Sequence, residues 1–323
     1  MLKNGFLRQL LIFVVAWVVL FVRLNACEPG WGKMAYVLQP DRLSDSRKAF
    51  LDQIANSDRE FVVLERTFNG NDSEALKKEE LDYMRSKMLG RKIVAYFSIG
   101  EAEVYRSYWD KSWDADNDGK PDQGAPLFLK DENPNWKGNY KVAYWDKNWQ
   151  AIMLNILNKI LEQSFDGVYL DIVDGFQYFE YEGEGQGWLE HKLNPETQQT
   201  YRKDMIDWIT LIAQEARGQR EGFLIIPQNG SQLLDDKSYR ETVDGIGIES
   251  LYTASSGPKP RDDVQYRLSY INKLSEMDKP VYLVEYTKKD ELKIFAEEQA
   301  AQKGFYLLLT KKRLGSMGVA FDL

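Results

Sequence analysis

The sequence predicts an α/β protein folded as a single (β/α)8 TIM barrel, with a long aromatic and Asp-rich insertion after the third strand. Three observations lead there. Strand-like and helix-like segments alternate along the chain, and eight of the strand-like ones fit within its 323 residues. No Gly-x-Gly-x-x-Gly follows an early strand, which removes the main support for an open dinucleotide-binding sheet. No second domain and no repeat is apparent.

Residues 1–27 read as an export signal. Lys3 and Arg8 are positive, Leu10 to Val22 is an unbroken apolar run, and Leu24-Asn25-Ala26-Cys27 follows. The run is short for a membrane span, which needs about 20 residues. Cys27 is either the residue after a cleaved signal or the acceptor of a lipid anchor, and an uncleaved anchor is the third option. In each case residues 28–323 form the folded domain, beginning near Trp31 and facing outward: secreted, periplasmic or lipid-anchored. Membrane contact is expected only through that signal or anchor.

The strand segments are 33–39, 61–65, 92–99, 167–172, 223–229, 245–249, 280–286 and 305–310, runs rich in apolar and β-branched residues. Between them the pattern predicts helices over 46–55, 73–89, 148–163, 194–217, 262–277 and 290–303. The fourth strand organises the rest. Ile152, Ile156, Ile160 and Leu161 mark a helix ahead of it, Asp166-Gly167 breaks that helix, and an apolar run ends at Asp171 and Asp174. With period two, Tyr169 and Asp171 share one face while Val168, Leu170 and Ile172 take the other. The plainer alternative is that both aspartates cap the next helix.

Composition narrows the chemistry. A net charge of −8 argues against nucleic acid as a partner, since phosphate recognition calls for clustered Lys and Arg. One Cys excludes an internal disulfide and a Cys-based zinc cluster. His191, the single histidine, sits in a polar context and reads as an exposed or capping residue. Carboxylates are left as the carriers of any reaction, and no cofactor is required for one. A monomer is expected.

The insertion between strand three and the helix near Asn148 holds Tyr105, Tyr108, Trp109, Trp113, Trp136, Tyr140, Tyr144, Trp145 and Trp149. Its aromatic load argues against disorder. These rings form a small satellite core at the barrel mouth, and two or three of them are expected to stay exposed for stacking on sugars. The same insertion carries Asp114, Asp116, Asp118 and Asp122 in Asp-x-Asp-x-Asp-Gly spacing, the first nine places of a calcium loop. Ala125 stands at the twelfth place, where the bidentate glutamate belongs. The loop is therefore either a solvated turn or a structural Ca²⁺ site. Gly183-Glu184-Gly185-Gln186-Gly187 has acidic flanks that would repel phosphate and reads as a mobile loop.

Strand ends two to seven finish in Glu65, Glu101 and Glu103, Asp171 and Asp174, Gln228-Asn229, Glu249, and Glu285-Tyr286. In a barrel these points ring one mouth. Gly247 and Glu249 oppose Ile246 and Ile248, so Asp171 and Glu249 both carry the parity that points inward. Two facing carboxylates among aromatics, with no His, Cys or metal set, suit glycoside hydrolysis, in which one acid is held protonated and the other ionised.

Four stretches carry a resemblance: Tyr96-Phe97-Ser98-Ile99-Gly100-Glu101-Ala102-Glu103, Asn139-Tyr140-Lys141-Val142-Ala143-Tyr144-Trp145, Gly167-Val168-Tyr169-Leu170-Asp171-Ile172-Val173-Asp174 and Ile248-Glu249-Ser250-Leu251-Tyr252. Together they resemble the endo-α-1,4-polygalactosaminidase-type glycoside hydrolases, the family-114 TIM barrels, a group once mislabelled as related to cysteinyl-tRNA synthetase. The resemblance implies a retaining, endo-acting hydrolase of α-1,4-linked galactosamine-type polysaccharide. Asp171 matches its nucleophile and Glu249 its general acid/base. Tyr36, Tyr96, Glu101, Asp174, Asn229, Tyr252 and Glu285 are the expected substrate contacts. The alternative from another class is a non-catalytic carbohydrate-binding barrel.

Overall fold

The computed structural model describes residues 34–44 and 46–318. The expected signal over 1–27, with Cys27, lies outside the described residues. No helix among the described residues is long and apolar enough to cross a membrane.

Eight parallel strands go round in chain order: β1 (Met34–Val37), β2 (Phe61–Leu64), β3 (Lys92–Ser98), β7 (Gly167–Asp171), β8 (Leu224–Pro227), β9 (Ile246–Glu249), β10 (Val281–Glu285) and β11 (Tyr306–Leu309). Backbone ladders join β1-β2-β3-β7-β8 and β9-β10-β11. The two arcs meet where Asp244 N donates to Ile225 O (2.9 Å) and Asn229 N to Gly247 O (2.8 Å). β11 packs beside β1 to complete the (β/α)8 arrangement. Each strand is buried on both faces, so it reads as a continuous apolar run. Met34, Tyr36, Val94, Tyr96, Tyr169 and Val284 fill the interior, while Val62, Ala95, Val168, Leu170 and Ile248 pack outward against helices.

Those helices are α1 (Pro40–Leu43), α2 (Arg47–Ala55), α3 (Lys78–Ser86), α4 (Lys147–Glu162), α5 (Phe176–Glu180), α6 (Tyr201–Gln219), α7 (Lys237–Thr242), α8 (Arg261–Ser275) and α9 (Asp290–Lys303). Side-chain caps fix several starts: Ser46 accepts from Ala49 N, Asp146 from Asn148 N and Trp149 N, and Thr200 from Lys203 N.

Two helices begin later than the pattern predicts. Ser73 lies in a short 3-10 turn rather than in a helix over 73–89. The Arg47 guanidinium takes the carbonyls of Glu74 (3.2 Å) and Ala75 (2.7 Å), so these peptides are held by a distant side chain. α3 starts only where Glu80 accepts from Lys77 N (2.7 Å). Asn194 likewise belongs to a turn closed by Gln198 N on Asn194 O (2.9 Å), and Thr200 caps α6 instead.

The insertion folds as a three-stranded antiparallel sheet, β4 (Glu101–Glu103), β5 (Leu129–Glu132) and β6 (Asn139–Val142), in the order β4-β6-β5. Its rings form the expected satellite core: Trp109 meets Tyr140 at 4.7 Å and Trp113 at 5.1 Å between centroids, and Phe128 meets Trp149 at 5.5 Å. Trp149 Nε1 donates to Ile99 O (2.9 Å), fastening that core to the end of β3.

The barrel floor depends on one missing side chain. A Cβ on Gly247 would stand 1.7 Å from the hydroxyl of buried Tyr169, which reaches across from β7. Gly247→Ala is expected to destabilise the chain by about 1–3 kcal/mol through overpacking. Calorimetry should show the thermal midpoint lowered by roughly 2–10 °C; an unchanged midpoint would mean that the floor is slack.

Candidate active site

The site is set at the carboxyl ends of three adjacent strands. β7 ends in Asp171, β8 runs on into Gln228, and β9 ends in Glu249. The residue after each is left-handed: Ile172 (φ 57°), Asn229 (φ 61°) and Ser250 (φ 47°). A β-branched residue pays a steric penalty in that region, and such outliers gather at functional sites. The turn at Ile172 exists because Gly100 leaves room for it; a Cβ there would stand 2.3 Å from Ile172 O.

These ends bring the two predicted acids together over one cleft. Gln228 Nε2 donates both to Asp171 Oδ1 (2.8 Å) and to Glu249 Oε2 (3.0 Å). Two legs of a triangle bound the third, so these oxygens are less than about 6 Å apart, near the spacing of a glycosidase acid pair. Asp171 Oδ1 also accepts from Ile172 N (2.9 Å), and Oδ2 accepts from Tyr96 OH (2.7 Å). Glu249 Oε2 accepts from Asn229 Nδ2 (3.1 Å), and Oε1 accepts from Tyr286 OH. From α8, Arg267 donates to the carbonyls of Glu249 (3.0 Å) and Ser250 (2.9 Å) and so fixes the end of β9.

The cleft encloses about 1240 Å³. Tyr36, Tyr96, Glu101, Asp174 and Asn229, five of the residues singled out in the sequence, line it with the two acids. Glu101 is held by Asn133 (2.7 Å) and Asn139 (3.2 Å). A buried bridge forms the adjoining wall: Arg106 takes both oxygens of Glu65 (3.0 and 2.9 Å) and one of Glu103 (2.6 Å). Tyr105 and Trp136 line the same cleft and are 55% and 58% exposed, the open rings anticipated for the insertion.

Burial pushes the Asp171 carboxyl up to about 8, and the facing Glu249 charge adds to this against the pull of Tyr96 and Ile172 N. Asp174 is raised to about 6, again by burial first and Glu249 second. With the carboxyls this close, burial and repulsion oppose a second negative charge, so the site keeps one proton through neutral pH.

Two expected contacts lie elsewhere. Glu285 is wholly buried on the outward parity of β10 and accepts from Tyr252 N (2.8 Å), Thr253 N (3.2 Å) and Thr253 OH (2.5 Å). Tyr252 packs in the outer core. Neither lines the cleft, and the β10 residue that does is Tyr286. Counting by two from inward Val284 would have found it. His191 is exposed.

In the Asp-rich loop, carboxylate oxygens of Asp114, Asp116 and Asp122 converge within 4.8 Å, and Asp118 is not among them. Backbone donors already claim these groups: Asp118 N and Gly119 N on Asp114 (3.2 and 3.1 Å), Asp118 N on Asp116 (3.2 Å), and Ala115 N on Asp122 (2.6 Å). None of the four lines the cleft.

The glycoside-hydrolase family GH114 pattern matches residues 63–322. An uncharacterized protein of Deinococcus radiodurans is 35% identical over 236 residues, 72% of this chain and 68% of its own length. One of Methanocaldococcus jannaschii is 35% identical over 244 residues, 74% of this chain but 64% of its own, so the chain spans about two thirds of these relatives. Two solved structures share the fold. The glycoside hydrolase domain of PelA from Pseudomonas aeruginosa has TM-score 0.58 and 19% identity, covering 88% of this chain and 96% of that one. Ega3 of Aspergillus fumigatus, solved with galactosamine, has TM-score 0.55 and 18% identity, covering 92% and 97%. The chain belongs to glycoside-hydrolase family GH114 and is a glycosidase.

The raised Asp171 carboxyl sets a stability test. An unfolded Asp loses its proton at about pH 3.9. The folded Asp171 keeps its own to about 8, so stability falls as pH rises between those values. Asp171→Asn removes that penalty. Its thermal midpoint should match the parent near pH 4 and exceed it by a margin that widens to about pH 8. A lower midpoint at pH 8 would contradict the buried pair.

Proposed function

We propose that this GH114 glycosidase is an exported, endo-acting enzyme that cleaves α-1,4-linked galactosamine-type polysaccharide with retention, Asp171 acting as nucleophile and Glu249 as general acid/base. The observation that carries this reading is the single amide nitrogen bonded to both acids. A span under about 6 Å accords with the roughly 5–5.5 Å of retaining enzymes rather than the 6.5–9.5 Å that leaves room for water in inverting ones. In the first step, with the proton of the site moved to Glu249, the Asp171 carboxylate attacks the anomeric carbon, the bond to the glycosidic oxygen breaks, and that oxygen takes the proton. Water then attacks the glycosyl-enzyme bond, gives its proton to Glu249, and Asp171 leaves as the carboxylate.

An amino-sugar polymer is supported by the galactosamine bound to Ega3 and by the acids at the centre of this cleft, where Asp174 and Glu101 flank the pair. Exposed Tyr105 and Trp136 offer faces for further sugars in the same cleft, as internal cleavage of a polymer requires. The reaction uses only carboxylates and water and calls for no cofactor. Ca²⁺ held by the Asp114 loop, which lies outside the cleft, would act on stability rather than turnover.

Oligomers of α-1,4-linked galactosamine, with product sizing and NMR of the first anomer released, test the reading. The parent chain should release internal fragments of α configuration. Asp171→Asn and Glu249→Gln should each lower kcat at least about a thousandfold and still bind the oligomer. A parent chain that binds without releasing reducing ends would instead be the non-catalytic carbohydrate-binding barrel, and a β first product would refute retention.

Export has its own readout. Expressed in a bacterial host, the mature chain should begin at or close to Cys27, and mass spectrometry will read either a free residue or a diacylglyceryl adduct there. Retention of Met1 on all of the protein would overturn export by cleavage.

A further inference from the structure

Each carboxylate of the pair is held by the same pattern of donors. On Asp171, the fixed donors Gln228 Nε2 and Ile172 N both take Oδ1, leaving Oδ2 to the hydroxyl of Tyr96. On Glu249, the fixed donors Gln228 Nε2 and Asn229 Nδ2 both take Oε2, leaving Oε1 to the hydroxyl of Tyr286. An amide N–H cannot accept a proton's bond in return, whereas a tyrosine hydroxyl can either donate or accept. The inner oxygens are thus closed to protonation. A proton on either outer oxygen is accommodated by turning one tyrosine hydroxyl.

Gln228 is the element common to both halves. It is 3% exposed, and its Oε1 is buried with no partner among the described residues. Leaving a buried carbonyl unpaired is unfavourable, so the amide orientation is set by the two acids and not by its own surroundings. We infer that Gln228 is a positioning residue that spaces Asp171 and Glu249 and confines their shared proton to the two outer oxygens, facing Tyr96 and Tyr286. The inference rests on the hydrolytic reading of the pair for its kinetic consequence, but not for the proton geometry itself. The other groups facing the pair are Tyr36 from β1, Asp174 and Glu101 at the cleft, buried Tyr169 below, and Arg267 from α8. Among the described residues no Lys or Arg bonds either carboxylate: Arg267 takes the carbonyls of β9, and Arg42, Arg106, Lys137 and Lys141 line the same cleft without bonding the acids, which leaves Gln228 as the donor common to both.

Gln228→Met keeps the length of the side chain and removes both N–H donors. Losing a donor to an ionised carboxylate favours its protonated form. The fall in stability with rising pH should therefore end about one unit higher than in the parent, as read by the thermal midpoint from pH 4 to 10. This measurement needs no substrate, so it stands even if the polymer has been assigned wrongly. On a hydrolysed oligomer, kcat should fall at least about tenfold with KM changed by less than about threefold, and the alkaline limb of kcat/KM should move up with the stability profile. Gln228→Glu, which adds a third acid, should move both profiles further in the same direction. Unchanged pH profiles in both variants, with or without a loss of rate, would reduce Gln228 to a structural residue and overturn the inference. If the variants fail to fold, Tyr286→Phe supplies the same test: it takes away the hydroxyl on one outer oxygen and should raise the alkaline limb, and an unmoved limb would refute the proton placement.

Discussion

Two carboxylates that would repel each other in a buried setting face one another across a single amide, and the top of the barrel is built to make that tolerable. Ionising both acids there is opposed by burial and by mutual repulsion, which is why Asp171 rises to about 8 and Asp174 to about 6. Tyrosine hydroxyls, amide nitrogens and one backbone N–H supply what compensation there is. A full positive charge in direct contact would pin both acids ionised and leave neither able to donate a proton. The Arg267 guanidinium is bonded to the backbone carbonyls of Glu249 and Ser250 and not to the Glu249 carboxylate.

Holding such a pair in register requires backbone that ordinary strands do not supply. The left-handed residues after Asp171, Gln228 and Glu249 end three strands at nearly one level, and each turns the chain away once the functional side chain has been delivered. Their strain is offset by neighbours: Gly100 gives Ile172 its space, Asn229 Nδ2 bonds Glu249, and Arg267 takes the carbonyls on either side of the bend at Ser250. Below, Gly247 makes way for Tyr169, so the floor of the cleft is set by side-chain volume as tightly as its walls are by hydrogen bonds.

Much of this was legible in the amino-acid order, because a strand buried on both faces announces itself as an apolar run and its last polar residue marks the mouth. Parity alone aimed Asp171 and Glu249 inward, and the crowding of rings between Trp109 and Trp149 announced a satellite core. What stayed hidden depends on partners remote in sequence. Arg47 delays α3 by bonding carbonyls 27 and 28 residues away. Gln228 reads as one polar residue at a strand end until the β7–β8 register, with Leu170 opposite Pro227, sets it between the two acids. Glu285 drew attention as a charge, yet the same counting that served β7 and β9 places it outward and gives the cleft to Tyr286.

One wall of the cleft has a foundation of its own. Asn133, Trp136, Lys137, Asn139 and Lys141 reach the cleft from the β4-β6-β5 sheet, whose rings pack on one another and on Trp149. The acid pair and this wall of the cleft are thereby lodged in separate building blocks. Side chains of the inserted block can therefore be exchanged one by one without touching the strands that hold Asp171 and Glu249.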